Sequence, residues 1–478
     1  MNPDHHPLPR TPSTSHPFNP LDYPSIFAKA RRLTYPFSWV EHIPFAFFLV
    51  EALRPRVLVE LGTHSGNSYC AMCQAVEKAR LNTKCFAVDT WAGDEHSGLY
   101  NLKVLADLRA HHDQLYGNFS TLIQETFDAA STRFSIGSID LLHIDGCHTY
   151  SAVKHDFETW LPKVNPNGVI LFHDTKVHSD DFGVWRLWEE LARQYPHFEF
   201  LHGSGLGILA LSAEQPEPLL HLLNAAESQA ERIRMFFSEL GGRLRLQAEA
   251  DQTGSKSDDS GFAQLFLPTA EGYHEEASYQ AIVQPQQWTQ LAFSIDQLDE
   301  DAPVPLRFDP IDQPGVVEIR DIRLVSEPNG GIIWQTEGPT EYDTLAIGGT
   351  AIRLPDRDLF RVFSYGTDPQ IYFPNMVGMN PAGSILLEMK IHYDPDLSSV
   401  AARFPQHEDE LDTTRNALQD ALHSVELARE QISALKGQVS SLEWQISSIE
   451  GQLSGMNNSI SWRVTAPLRR LGWLKSTP

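Results

Sequence analysis

Glu60, Asp89, Asp145 and Asp174 each close a short apolar run, and His148 follows Asp145 by three residues. Carboxylates at such places can accept hydrogen bonds from ligand hydroxyls or hold a divalent cation, and a nearby histidine can take up a proton at ambient pH. The run Val57-Leu-Val-Glu-Leu-Gly-Thr-His-Ser-Gly66 adds a glycine turn, Gly62 to Gly66, that opens onto a helical pattern. Glycine lets the backbone approach a ligand, and the free N–H groups of a helix start face it. A dinucleotide fingerprint needs G-x-G-x-x-G, but His64 and Asn67 occupy the second and third glycine positions. The turn therefore argues against a diphosphate cradle. It suits a ligand that joins an amino acid to a nucleoside.

The elements that must position these residues follow from periodicity. Residues 38–53 read as an amphipathic helix leading through Pro55 into a strand at 57–60. A helix at 68–79, a strand at 85–88, a strand within 117–123 and a short helix at 127–134 come next. Strands at 139–144 and 168–172 alternate with helices at 150–164 and 184–195, and residues 198–201 and 207–211 close the series as a strand pair. Alternation of this kind predicts an α/β fold, a parallel sheet covered on both faces. All four acids then fall on the carboxyl edge of one sheet, where open α/β sheets bind ligands.

Four motifs in this order, Glu60-Leu-Gly-Thr-His-Ser-Gly66, Val88-Asp-Thr-Trp-Ala-Gly-Asp-Glu-His96, Ile144-Asp-Gly-Cys-His-Thr-Tyr150 and Gly168-Val-Ile-Leu-Phe-His-Asp-Thr175, resemble class I S-adenosylmethionine-dependent methyltransferases. The branch they most resemble is the bacterial one found with glycosyltransferases in surface-polysaccharide clusters, related to macrolide-sugar and catechol-type O-methyltransferases. The likeness spans about residues 37–211 and implies a Rossmann-like methyltransferase sheet. It implies that Glu60, Gly62 and Gly66 hold the methionine part of S-adenosylmethionine, and that Asp89 accepts hydrogen bonds from the ribose hydroxyls. Trp91 then lies against the adenine, or is a core aromatic.

Asp145 and Asp174, at the ends of strands expected to be neighbours, suit a Mg²⁺ site, which the catechol-type relatives also imply. The alternative is that Asp145 caps the next helix. In those relatives a residue adjoining the second acid gives a third oxygen ligand; here the neighbours are His173 and Thr175. By the same resemblance His148 is the catalytic base beside Asp145, removing a hydroxyl proton as the methyl group is transferred; the alternative is a capping or packing histidine. Asp94, His96 and His173 are expected to face the acceptor. The methyl acceptor implied is a glycan or sugar hydroxyl. A non-catalytic glycan-binding scaffold and a hydroxylase-like metal enzyme on the same fold are the competing readings.

The rest of the chain sets the context. A length of 478 residues predicts two to four units. The net charge of −25 excludes a general nucleic-acid binder, which needs a basic footprint. Four cysteines, all in the first third, form no disulfide framework and fit a reducing compartment; Cys70 and Cys73 read as buried helix residues. Residues 1–36 read as a disordered tail without a signal-peptide layout, so a cytoplasmic location is expected. Beyond the methyltransferase-like segment at 37–212, residues 213–261 read as a helical connector and linker. Residues 262–395 show short alternating strands, which predicts an antiparallel β-sandwich-like domain. There Trp288, Trp334, Tyr365 and Tyr372 are sugar-stacking or core aromatics.

Residues 408–456 carry a heptad through Leu411, Thr414, Leu418, Ala421 and Val425 onward to Met456, which predicts a coiled coil and a homo-oligomer. Residues 457–478 hold Arg463, Arg469, Arg470 and Lys475 among Trp462, Trp473 and leucines, with no acid. Such a basic amphipathic tail suits peripheral contact with the inner membrane, or with glycosyltransferases as partner proteins.

Overall fold

The computed structural model describes residues 18–402 except 95–97, 100–102, 180, 254–259, 296–303, 328–329, 357 and 375–383. The predicted coiled coil and basic tail lie outside the described residues, as does His96. One compact unit spans Met1–Arg403. It contains two large sheets.

The first sheet begins at β1 (Val57–Leu61) and continues with β2 (Lys84–Asp89), β5 (Ser120–Gln124), β6 (Ile139–Ile144), β7 (Val164–His173), β8 (His197–Phe200) and β9 (Leu206–Ala210). Between β2 and β5 lies a two-residue ladder, β3 (Gly93–Asp94) with β4 (Gly98–Leu99). The strand order is β5-β2-β1-β6-β7-β9-β8. Neighbours from β5 to β7 pair in parallel, and β9 runs antiparallel to β7 and to β8. The chain therefore starts in the middle, winds out to one edge, and returns to wind out to the other. Its direction reverses between β1 and β6, and the crevice at their carboxyl ends is the expected ligand position.

Strands buried on both faces need unbroken apolar runs, and Val169 to Phe172 in β7 are all fully buried. On one face, Trp160 from α5 (Tyr150–Trp160) and Trp188 from α6 (Val184–Ala192) share a core with Val59, Leu61, Leu142 and Ile170. Elsewhere Phe45 of α1 (Ile43–Leu53) and Phe237 of α8 (Glu227–Thr253) meet Phe200 of β8 at 4.6 and 5.4 Å. The predicted helix at 38–53 opens as a 3-10 turn, Val40–His42, before α1. Arg54, at φ 48°, and Pro55 end it.

Several expectations change. The tail assigned to 1–36 is part of the fold from residue 18 onward: Ile26 and Phe27 are buried, and Phe18 meets Phe48 edge-on. Its apolar residues are too sparse to show a period, so only tertiary packing reveals them. Helix α3 (Lys103–Leu115) was not anticipated; its mean composition is polar and only Leu108 and His112 are buried. The connector at 213–261 is a strut. It holds α7 (Glu217–Leu223) and the 27-residue α8. Gly241 of α8 packs so closely on Glu41 of the 3-10 turn that a Cβ would sit 2.0 Å from its carbonyl oxygen. Arg243 donates to the carbonyls of Pro314 and Pro395 in the second sheet domain, while Phe236 packs at a tilt against Tyr365, ring centres 5.2 Å apart.

The predicted sandwich is instead one antiparallel nine-stranded sheet. Its main path is β11-β10-β13-β17-β14-β18-β12, with β15 on β14 and β16 on β17. These are β10 (Gly261–Phe266), β11 (Ser278–Val283), β12 (Trp288–Ile295), β13 (Arg307–Asp309), β14 (Gly315–Ser326), β15 (Gly331–Gln335), β16 (Ala346–Leu354), β17 (Phe360–Tyr372) and β18 (Ile385–Asp394). The end strands of that path, β11 and β12, are consecutive in sequence. A link from Val283 to Trp288 spans at most ~18 Å, whereas seven flat strands would hold their edges ~29 Å apart. The sheet must curl into a near-barrel, and its inward residues form one core. Short strands such as β13 and β15 carry too little alternation to be seen in sequence. Tyr365 belongs to the buried interior, at 7% exposure, while Trp334 packs edge-on against Phe373.

Candidate active site

The glycine turn is held from three sides. Gly62, at φ +86°, lies where a Cβ would be 1.9 Å from the carbonyl oxygen of Asp145, so β1 and β6 meet there through backbone alone. The Asp145 amide donates to Leu61 O at 2.8 Å, and the Gly62 amide to Val88 O at 2.9 Å. Gly66, at φ +82°, starts α2 (Asn67–Lys78), and no side chain caps that helix. Its first-turn N–H groups are therefore free of intrahelical partners and carry the positive end of the helix dipole.

The segment before α1, which sequence reasoning set aside, supports the same turn. Arg32 donates through Nε to Ser65 O at 2.7 Å and pairs with Asp107 at 2.6 Å. Asn67 donates to the carbonyls of Thr34 and Pro36 at 2.7 and 2.9 Å, and accepts from the Thr34 amide.

Asp89 sits at the end of β2, buried, and its carboxylate accepts three backbone N–H groups. These come from Thr63 at 3.0 Å, His64 at 2.8 Å and Trp91 at 2.6 Å. A carboxylate has about four lone-pair positions, so roughly one is left for a ligand hydroxyl, where the resemblance implied contact with both. Trp91 is also buried, at φ +51°, and its indole N–H donates to His64 O at 3.0 Å. The indole is thus part of the packed turn.

Glu60 is fully buried beneath that turn. Its Oε2 lies 2.8 Å from His143 Nδ1, and Trp39 Nε1 donates to His143 Nε2 at 3.3 Å. An indole nitrogen only donates, so Nε2 is the accepting nitrogen and Nδ1 carries the proton to Glu60. His143 is therefore the neutral Nδ1–H tautomer in this line of three. Among the described residues Glu60 Oε1 and Thr63 Oγ1 have no hydrogen-bond partner. Buried polar atoms of that kind at the turn are what an amino-acid-bearing ligand would satisfy.

On the other side of the crevice Asp145 and Asp174 come together with His148 and His173. His148 Nε2 is 2.9 Å from Asp174 and 3.9 Å from Asp145; His173 Nδ1 is 3.2 Å from Asp145 and 3.4 Å from Asp174. His173 Nε2 faces Gly203 O at 3.1 Å, so both of its nitrogens must donate and the ring is an imidazolium. Burial opposes that charge, but the charges of Asp174 and Asp145 outweigh it and hold the His173 pKa well above the usual value. Likewise burial is outweighed at His148, where the two carboxylates raise the pKa to about 10. Burial would raise both acids, yet the histidines hold Asp145 and Asp174 below the ordinary carboxylate range.

Two expectations are corrected here. His173 does not face the acceptor; it is 3% exposed and supports the two acids from below. Nor does Asp145 cap the following helix, because Thr149 does so, its Oγ1 accepting from Ala152 N at 3.3 Å. His148 stacks on Phe182 at 4.8 Å with an 8° tilt, which fixes the ring plane.

The ligand atoms of Asp145, His148 and Asp174 all lie within 4.8 Å of one another. Two carboxylates and one imidazole fit a divalent cation, and the nitrogen widens the choice from Mg²⁺ toward Mn²⁺ or Zn²⁺. Among the described residues the ligand group holds one histidine and two carboxylates, so a two-histidine, one-carboxylate set is not the one formed. Thr175 Oγ1 is buried beside Gly205 and has no hydrogen-bond partner among the described residues.

Sequence reasoning missed a layer below the site. His42 Nε2 donates to the same Gly203 carbonyl at 3.0 Å, and burial, with His202 and His173 nearby, holds its pKa well below the usual range. The backbone at Gly203, Ser204 and Gly205 runs at φ +54°, +68° and +89°, which aims that carbonyl inward. The Gly-Ser-Gly sequence was the available signal.

Residues 59–175 match a family model described as a methyltransferase domain. An uncharacterized protein, y4gI of Sinorhizobium fredii, is 50% identical over 185 residues, which are 39% of this chain and 20% of that protein. The matched part is thus about a fifth of that curated relative's length. Among solved structures, a methyltransferase from Geobacter sulfurreducens is similar at 14% identity over 36% of this chain and 80% of its own, with TM-score 0.28. The O-methyltransferase TomG from Streptomyces achromogenes, in complex with SAM, is similar at 14% identity over 40% of this chain and 90% of its own, with TM-score 0.29. Residues 59–175 are the part of this chain that the methyltransferase-domain model matches.

Proposed function

We propose that this chain transfers a methyl group from S-adenosylmethionine to a hydroxyl oxygen, and that the acceptor is a sugar of a bacterial surface polysaccharide. The observation that carries methyl transfer is the convergence of the glycine turn, Asp89 and the Asp145–His148–Asp174 group on one sheet edge. The matched methyltransferase-domain model supports it. The sugar acceptor rests on the likeness of the four motifs to the polysaccharide-associated branch.

S-adenosylmethionine, when bound, supplies an electrophilic methyl group. The N–H groups at the start of α2 would hold its carboxylate, Glu60 Oε1 and Thr63 Oγ1 would serve its amino-acid end, and Asp89 would offer its remaining lone pair to a ribose hydroxyl. A divalent cation held by Asp145 and Asp174, with His148 outside its ligand set, would polarise the acceptor hydroxyl.

The two carboxylates that hold this hydroxyl's surroundings also raise the His148 pKa to about 10. Whatever engages them lowers it toward the ordinary histidine range, and that neutral ring is the form that accepts the hydroxyl proton. Phe182 keeps the ring in plane and His173 keeps the acids in place.

The test is calorimetry with S-adenosylmethionine, followed by incubation of labelled cofactor with the host's surface-glycan precursors. Binding and label transfer to a sugar oxygen are expected. Absence of binding by the wild-type chain refutes the reading, and transfer only to a non-sugar hydroxyl refutes its acceptor.

A further inference from the structure

The outer face of the second sheet carries an arrangement that methyl transfer does not use. Leu291, Phe293 and Ile295 of β12 point into the core, so Trp288 and Gln290 stand on the opposite, outward face. Trp288 is 38% exposed, an unusual position for so large an aromatic. Trp288 pairs with His392 of β18, which pairs in turn with Glu318 of β14; in the next outward row Gln290 pairs with Lys390 and Lys390 with Arg320.

The Arg320 guanidinium lies 4.1 Å from the Trp288 ring centre, although β18 separates the two strands. The indole therefore leans across the sheet, passing His392 at 5.5 Å. Arg320 Nε is buried while Trp288 is 38% exposed, so the guanidinium lies against the ring on its inner side and part of the indole stays open to solvent.

The charges around Arg320 are the second observation. Its neighbour Asp321 is taken by Lys390 at 2.7 Å, and Glu318 by Arg361 at 2.8 Å. Among the described residues Arg320 forms no ion pair, and its buried Nε has no hydrogen-bond partner. In a chain of net charge −25, a half-buried guanidinium without a carboxylate is held against the general balance. A guanidinium that no carboxylate neutralises favours an incoming anion at its terminal N–H groups.

The exposed part of the indole suits the C–H face of a pyranose ring, and the terminal N–H groups of the guanidinium packed on the ring suit a carboxylate. We propose that Trp288 and Arg320, with Gln290 and His392 beside them, form a saccharide-binding face selective for a uronic-acid residue. This face belongs to the second sheet and stands independently of the methyl-transfer reading.

Saturation-transfer difference NMR on the full chain tests it, with tetragalacturonate as the probe and maltotetraose as the neutral control. Transfer to tetragalacturonate and little to maltotetraose is expected. Affinity should fall by about tenfold or more in Trp288→Ala, and in Arg320→Gln by about tenfold for the acidic probe alone. Both substitutions are on an outer face, and an unchanged melting temperature and circular dichroism spectrum verify the fold. No transfer to tetragalacturonate, equal transfer to both saccharides, or undiminished transfer in a folded Trp288→Ala chain overturns the proposal.

Discussion

Asp89 offers the sharpest single test, because its carboxylate does two jobs that can be separated. A residue that only held a ribose would cost nothing to remove from the ligand-free protein. The structure has it accepting three backbone N–H groups at 3.0, 2.8 and 2.6 Å. Asp89→Asn keeps one oxygen. Turned toward Thr63 and His64, that oxygen saves two bonds but sets the new amide against the Trp91 N–H; turned the other way, it loses both of the former. A hydrogen bond to a charged group is worth ~1.5–3 kcal/mol, and a donor facing a donor adds to the loss, so ~2–4 kcal/mol is expected. With unfolding entropy near ~2.1 cal/mol/K per residue in a unit of this size, the ligand-free melting temperature falls by roughly 2–5 °C. Scanning calorimetry without ligand, beside titration with S-adenosylmethionine, measures both roles. The substitution should weaken binding at least ~10-fold, since disorder in the turn adds to the lost ribose contact. A ligand-free Asp89→Asn chain that melts within ~1 °C of wild type would show that the turn does not depend on this carboxylate.

Three further outcomes are expected. Gly62→Ala adds ~1–2 kcal/mol of left-handed strain to a backbone collision with Asp145, so denaturant titration should show a loss of at least ~3 kcal/mol. Burial pushes the Asp156 pKa up to about 7, above its ordinary value of 3.8. The folded state then holds a proton that the unfolded state releases between those values. Stability from this group is full below pH ~4 and is lost as pH rises through ~7, so Asp156→Asn should flatten the fall in melting temperature between pH 5 and pH 8. A wild-type-like pH profile in that variant would contradict the assignment. Finally, the heptad from Leu411 predicts that a chain ending at residue 403, where the compact unit closes, sediments with fewer subunits than the full chain.

What the sequence disclosed about this fold divides by physical cause. The parallel sheet was legible because strands such as β7 are buried on both faces and must be continuously apolar. Its acids were legible because ligand-facing carboxylates sit where such runs stop. The partners of those acids were not. Nothing in the spacing of His42, His143 and His173 tells that their side chains converge from three elements, because that juxtaposition is a property of strand order. The same limit hid the role of Arg32 and Asn67, which connect segments 33 residues apart. The near-barrel escaped because alternation reports that a strand has two unlike faces and says nothing of how many strands curl around the shared one. In the case of α8, apolar spacing suggested a connector, whereas its meaning lies in Gly241 and Arg243, one glycine and one cation at close contacts.

The electrostatics of the site add one step that neither motif nor fold contains. Two carboxylates at the crevice, Asp145 and Asp174, would repel each other and pull protons if left alone. Two imidazolium rings neutralise them, and each ring is fixed by something other than the acids: His173 by Gly203 O, His148 by Phe182. The acids therefore stay ionised and spaced without a ligand, and the group carries no net charge. An incoming cation must displace a proton from His148 to bind, whereas His173, anchored at both nitrogens, remains in place. Cation affinity should accordingly rise with pH, as the His148 proton becomes easier to lose, and His148→Asn should bind a divalent cation with a weaker pH dependence than the wild-type chain. Titration of Mn²⁺ at pH 6.5 and 8.5 by electron paramagnetic resonance separates the two. A pH slope unchanged in His148→Asn would mean that some other proton controls entry to this pair of carboxylates.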